Sequence, residues 1–318
     1  MNPYFDEFTN GGIYKDRKSV RYFDCRFHAL KNERESFFSH WRDIQEFISP
    51  RRGRFFMDER NRGEKRHQSI INSRATQAHK IARAGMLAGT MSPALQWFAL
   101  MPVKEELLEV GEVKAWLHQT QLIMRAVLNQ SNFYAMAPAM IGELLLFATG
   151  AMFHEDDFEN VARFYTHTIG SYCIAQDATY RVNTFAREFE MTTEQLVEKF
   201  GYKRVAIATQ NAYDRGNMDA WWPVVHFIDP NPDANPEKKL TKHMPYRSVY
   251  FQPGLSQLDK DKLLEESGYL EFPVHCPRWE LTGEDVYGTD CPGMTALGDV
   301  RMLQSMEKRT QQGIDKMV

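Results

Sequence analysis

The sequence predicts an α+β fold, and three features predict it. Segments between residues 33 and 149 carry apolar residues at helical spacing, the stretch from Ala151 to Phe251 breaks into short runs rich in aromatic and β-branched residues, and residues 295–318 read as one long amphipathic helix. At 318 residues the chain can bury a sizeable core as one large or two modest domains. A formal net charge of -3, with 25% charged residues, gives no overall basic field, so any nucleic-acid contact has to be local.

Taken in order, Phe37, Trp41, Ile44 and Ile48 predict a helix over 33–48, stopped by Pro50, with residues 1–32 left as an N-terminal arm. From Arg51 to Arg66, basic residues mix with Asp58, Glu59 and Glu64 around two glycines, which reads as a charged surface loop rather than a phosphate site. Residues 73–90 follow as a helix. On one of its faces lie Ala75, Ala78, Ala82, Gly85 and Gly89, a groove of small residues that invites close packing by another helix of this subunit or of a neighbour. Glycine costs a helix about 1 kcal/mol against alanine, so packing has to recover that loss.

A third helix is expected over 106–129, bent or restarted at Gly111, and a fourth over 132–149, terminated by Gly150. The apolar run from Ala135 to Phe153 approaches the length of a membrane span. Pro138, Gly142 and the central Glu143 interrupt it, and a core helix explains the pattern without stranding a carboxylate in lipid. Antiparallel strands are expected at 151–154, 162–168, 172–175 and 180–189. Thr192 with Gln195 forms a capping-box pattern that opens a short helix closed by Gly201. Strands at 221–228 and 246–251 flank the turn-rich DPNPDANPEKK. On the last helix, Ala296, Leu303, Met306, Ile314 and Met317 form the apolar stripe. Arg301, Ser305, Lys308, Gln312 and Lys316 lie opposite, and Leu297 and Val300 fall off the stripe.

Chemistry is mostly not marked. The sequence has no phosphate loop, no dinucleotide fingerprint, no HExxH and no GxSxG. His154, Glu155, Asp156 and Asp157 offer metal-ligand types, but neighbours in an extended chain point to opposite sides. His275, Cys276 and Cys291 supply at most part of a zinc site. The cysteines, Cys25, Cys173, Cys276 and Cys291, form no CxxC pair and read as free thiols. The start, MNPYFDEFTN, lacks the basic flank and apolar run of a secretory signal, so cytoplasmic synthesis is expected.

The order of many residues carries more than any motif. Trp41, Ile44 and Pro50 come first, then Asn72, Ser73, Ala75, Gly85, Gly89, Ser92, Pro93 and Trp97, then Ser131, Asn132, Phe133 and Gly150. Asp177, Arg187, Phe189, Gln195 and Phe200 continue the series, and Pro277, Arg278, Trp279, Glu284, Tyr287, Gly288 and Pro292 close it. In this order the sequence resembles the head-to-tail connector, or portal, proteins of short-tailed bacteriophages over most of its length.

The resemblance implies a non-catalytic subunit with no cofactor, in a ring, usually dodecameric, at one capsid vertex of the virion. Double-stranded DNA passes through the ring without sequence-specific contact. The implied partners are copies of itself, the major capsid and scaffolding proteins, terminase and a tail adaptor protein, with no membrane. Residues 33–273 resemble the wing, 274–294 the hinge, with Arg278, Trp279, Tyr287 and Gly288, and 295–318 the first stem helix. A clip, a returning stem helix and a crown are expected after Val318 and are missing, as in a fragment or truncated copy. Arg301, Lys308 and Lys316 become candidates for sparse channel belts, because each phosphate neutralised by a cation tightens binding and a fully basic bore would hold DNA. The same polar face equally suits solvent or an adjacent helix. Two other readings stay open: a metal-dependent DNA-processing enzyme using His154 to Asp157, and a truncated portal-derived assembly factor.

Overall fold

The computed structural model describes residues 19–50, 52–55, 68–238, 240–254 and 263–317. The expected loop at 51–66 therefore lies largely outside the described residues, as do most of the expected N-terminal arm and Val318. The described helices begin with α1 (Val20–Glu35), α2 (Phe38–Phe47), α3 (Arg74–Thr90), a 3-10 turn (Glu105–Glu109), α4 (Gly111–Gln130) and α5 (Phe133–Phe147). Next come β1 (Ala151–Asp157), β2 (Val161–His167), β3 (Tyr172–Gln176), β4 (Val182–Thr192), α6 (Thr193–Phe200), α7 (Ile207–Asp214) and β5 (Trp221–Pro230). The last are β6 (Tyr246–Phe251), β7 (Glu265–Tyr269), β8 (Val274–His275) and α8 (Pro292–Asp315). Helix and sheet together make the α+β class expected from sequence.

The chain divides into two compact units. The first takes the chain up to Ser39 together with Gly170–Phe272, and the second takes His40–Ile169 together with Pro273–Val318. The span 33–273, expected from sequence as one wing, is shared between them. The single helix expected over 33–48 is instead two, α1 and α2, because the chain changes core there. Residues 20–32, expected as part of an arm, are helical and buried on one side.

In the first unit, β3-β4-β5-β6-β7 form an antiparallel five-stranded sheet. Ser19 caps α1 by accepting the Tyr22 N–H at 3.3 Å. Val20, Phe23, Phe27 and Leu30, at helical spacing, then pack on Val225, Phe227, Val249 and Phe251. Val224, one residue over on β5, belongs to the cluster of Leu196 and Phe200 instead, so strand alternation gives each face of the sheet its own apolar cover. Polar contacts fix the register of α1: Arg34 Nη1 donates to the carbonyls of Gly170 (2.8 Å) and Tyr172 (2.7 Å), and Lys31 pairs with Glu188 at 3.0 Å.

The capping box is present, with Thr192 accepting the Gln195 N–H and Gln195 accepting the Thr192 N–H, and Gly201 follows α6 at φ 88°. Sequence patterning does not mark α7, β7 or β8, and the helical spacing of Val20, Phe23, Phe27 and Leu30 in α1 falls in the stretch expected as an N-terminal arm. The β7 segment, EESGY, has no apolar alternation; it is a strand because β6 offers it a partner ladder from Tyr246↔Tyr269 to Tyr250↔Glu265.

A buried histidine is expected to make this unit acid-sensitive. The His226 ring stacks on Tyr250 at 4.0 Å and bonds Ser248 at 2.8 Å, and burial pushes its pKa down to about 3. A group whose folded pKa is depressed binds its proton more readily when unfolded. Its stabilising share is therefore full above the ordinary imidazole pKa and is lost as pH falls from about 6.5 toward 3. Thermal melts at pH 7.5 and pH 5 are expected to differ by about 2 kcal/mol through this group. In His226→Gln that portion of the difference should vanish; an unchanged acid sensitivity would overturn the assignment.

In the second unit, β2-β1-β8 form a small antiparallel sheet. Phe133, Ala137 and Met140 of α5 pack with Met152 and Phe164, and Leu87, Met91 and Trp97 close the cluster. Asn132 joins helix to sheet by accepting the Phe164 N–H (2.7 Å) and donating to the Phe164 carbonyl (2.8 Å), as a neighbouring strand would. Among the described residues no helix is long and apolar enough to cross a membrane. The residue that closes α5 is Ala148, left-handed at φ 57°, rather than Gly150. Gly150 is small for another reason: a Cβ there would lie 3.0 Å from Met140 Cγ.

Candidate functional site

The second unit holds the candidate hinge, packing and channel residues that the sequence singles out, and the hinge residues lie at the C-terminal end of α5. Glu143, only 2% exposed, accepts from Arg52 Nη1 (3.0 Å), the Thr168 hydroxyl (2.8 Å) and the Ile169 N–H (3.0 Å). Burial pushes its pKa up, and Arg52 with the two other donors opposes this. Arg52 falls in the stretch expected as a solvated surface loop; instead its side chain lies over Gly142, whose missing side chain leaves it room. The carboxylate that interrupts the apolar run is thus an anchor for the segment that follows α2.

Just beyond α5, the proposed hinge residues wrap its C-terminal end. The Trp279 N–H donates to the Ala148 carbonyl (2.8 Å), the Gly150 N–H to the Pro277 carbonyl (3.0 Å) and the Gly288 N–H to the Thr149 hydroxyl (2.9 Å). Arg278 braces this segment by donating to the Val286 carbonyl at 3.2 Å. Tyr287 is fully buried, edge-on to Trp41 at 5.3 Å. Gly288 has no room for a side chain: a Cβ would lie 2.7 Å from the Ala148 Cβ and 2.8 Å from its carbonyl carbon.

From there α8 starts at Pro292, a first-turn position suited to proline. It packs so closely on α5 that a Cβ on Gly293 would sit 2.9 Å from the Leu146 Cα. The buried face of α8 differs from the stripe expected from sequence. Met294, Leu297, Val300 and Gln304 are buried, whereas Met306, Ile314 and Met317 are exposed. Leu297 and Val300, which fall off the periodic stripe, are the ones facing the core. Gln304 clamps the segment leading into α3: its Oε1 accepts the N–H groups of Ile71 and Asn72 (both 2.8 Å), and its Nε2 donates to the Asn72 carbonyl (2.7 Å).

Of the candidate channel cations, Arg301 pairs with Asp43 and lies 5.3 Å over the Phe47 ring. Lys308 and Lys316 are exposed and make no ion pair among the described residues. The small-residue face of α3 is open: Ala78, Ala82, Gly85 and Gly89 are exposed, and among the described residues nothing beyond the helix's own backbone lies within 4 Å of a Cβ built on either glycine. Ala75, Ala78 and Ala82 instead form one wall of an apolar groove of about 410 Å³, completed by Leu145 and Leu146 of α5 and Val300 and Leu303 of α8.

The residues weighed for metal chemistry do not converge. Asp157 accepts the Glu159 N–H and is held by Arg163 at 3.0 Å, which keep its pKa below the ordinary carboxylate range, and the His154 ring stacks on His275 at 5.4 Å. Among the described residues no three His, Cys, Asp or Glu side chains gather as a metal would need.

The geometry by itself names no activity, and comparison with known proteins gives the class. The chain belongs to the bacteriophage head to tail connecting protein family, whose model matches residues 22–318. More particularly, it is 43% identical over 290 residues to the "Probable portal protein" of Bordetella phage BPP-1 and 43% identical over 287 residues to the "Portal protein" of Salmonella phage epsilon15. These alignments cover 91% and 90% of this chain but 52% and 51% of the relatives, so the chain spans about half the length of the curated relatives it matches.

Proposed function

We propose that the chain acts as the wing and first stem helix of a portal subunit. Copies of it form a ring, usually of twelve in this family, at one capsid vertex. Double-stranded DNA is packaged and ejected through the ring, terminase and a tail adaptor dock on it, and the capsid and scaffolding proteins surround it. The observation that carries this reading is collinear identity with two phage portal proteins across about nine-tenths of the chain. In this role residues 274–294 are the hinge and α8 the start of the stem. Lys308 and Lys316 supply thin cationic belts that centre DNA through its phosphates without reading bases. Arg301 joins them only by exchanging Asp43 for phosphate.

Electron microscopy of the purified chain tests the reading, with rings seen end-on as the expected result. In such rings Lys308→Ala with Lys316→Ala should weaken non-specific duplex binding and lower its salt slope by about 0.9 for each phosphate no longer neutralised. A chain that stays monomeric at high concentration, or rings in which both lysines face outward, would overturn the corresponding part.

A further inference from the structure

We propose that Arg52 and Arg83, which converge over Gly142 of α5 with His79 beside them, form a binding site for one phosphate group. The site lies within the second unit and does not depend on ring assembly.

Geometry brings the two arginines together. A Cβ on Gly142 would lie 3.1 Å from the Arg52 Cζ and Nη2 and 3.1 Å from the Arg83 Cδ, so both side chains crowd one spot that a larger residue would fill. Arg52 comes from the segment after α2 and Arg83 from α3, so their donors enter from two elements.

Acceptors are short there. Arg52 commits Nη1 to the Ala139 carbonyl and to Glu143, both at 3.0 Å, while its Nη2 and Nε make no hydrogen bond among the described residues. Arg83 makes neither a hydrogen bond nor an ion pair among them. His79, one turn before Arg83 on α3, is 9% exposed, and its Nε2, shielded inside the chain, has no partner either. Polar groups in native interiors are nearly always paired, and two guanidinium groups with one carboxylate leave a positive charge unanswered. The electrostatics agree. Burial and the Arg52 charge pull the Arg83 pKa down, and burial, Arg52 and Arg83 push that of His79 down to about 4. Among the described residues no carboxylate offsets the cations at either residue, and His79 is neutral at pH 7.

The donor set selects the ligand. Guanidinium groups bind carboxylate and phosphate oxygens through forked N–H donors. A planar carboxylate is matched by one fork lying in its plane, whereas a tetrahedral phosphate offers oxygens in several directions and suits donors arriving from two elements. Arg52 is 20% exposed and Arg83 half-buried, so a ligand can enter while solvent screening is reduced. The apolar groove is a separate surface, bordered by His79 but lined by neither arginine.

Thermal melts at pH 7.5 test the site. Sodium phosphate is expected to raise the melting temperature of the parent chain above its value in sodium chloride of equal ionic strength, and Arg83→Gln should lose that gain. Without phosphate, Arg83→Gln should melt at or slightly above the parent, because it removes a like charge beside Arg52; a merely structural arginine would lower it. In calorimetric titration the affinity for inorganic phosphate should fall about tenfold or more in Arg83→Gln, as loss of a charged hydrogen-bond donor does. A short DNA duplex distinguishes the sources: displacement of phosphate by the duplex assigns the site to a backbone phosphate, and no displacement assigns it to free phosphate. Stabilisation no greater than in chloride, equal stabilisation of Arg83→Gln, or acetate acting as strongly as phosphate would overturn the proposal.

Discussion

Replacing Arg52 with alanine is expected to destabilise the second unit by about 3–5 kcal/mol, because it strands a buried carboxylate. Glu143 is almost fully enclosed, and among the described residues its oxygens are otherwise satisfied by Thr168 and the Ile169 N–H. In a unit of this size each kcal/mol moves the melting temperature by roughly 2–4 °C, so a drop of about 6–20 °C should be seen. The penalty should be pH-dependent. Burial already raises the Glu143 pKa and Arg52 counters it. Without Arg52 the folded pKa rises further above the unfolded value, so stability is lost as pH rises through it. The penalty is then largest near neutral pH and shrinks toward acid, where the carboxyl is protonated in both states. Glu143→Leu combined with Arg52→Met should recover most of the loss, since an apolar pair of similar size avoids desolvating charge. An Arg52→Ala chain that melts with the parent at pH 7 would sink the argument.

Gly288→Ala should cost about 3 kcal/mol. The added methyl would meet the Ala148 backbone, and no rotamer change moves a backbone aside. Ala148 is also the left-handed residue that closes α5, and its carbonyl accepts the Trp279 N–H, so displacing it loosens the wrap around the helix end. Gly298→Ala is the control. That glycine is exposed within α8 with nothing among the described residues, beyond its own helix backbone, within 4 Å of an added Cβ, so alanine there should be neutral or stabilise by about 0.5–1 kcal/mol through helix propensity. Equal melting temperatures for the Gly288→Ala chain and the parent would show that the hinge segment yields freely at this point.

Much of the fold was legible because local physics fixes it. The capping box of Thr192 and Gln195 satisfies backbone groups within four residues, and the aromatic and β-branched run of β5 can be read from one strand alone. Other elements depend on partners far along the chain. EESGY is a strand only beside β6, and α1 has a strong apolar face but begins where polar residues dominate the sequence. The candidate site divides the same way. Tyr287, Gly288 and the small face of α3 stood out by residue type and order, whereas the roles of Arg52 and Gln304 had no local signal: one side chain answers a carboxylate 91 positions away and the other a backbone segment 232 positions away.

The sequence alone determined the α+β class, the positions of most helices and strands, and membership of the connector family, since each follows from periodicity, caps or residue order along the chain. Tertiary structure alone decided which face of a helix is inside. On α8 the most regular apolar stripe is left exposed while Leu297 and Val300 are buried, because burial is set by where α5 lies and not by the helix's own symmetry.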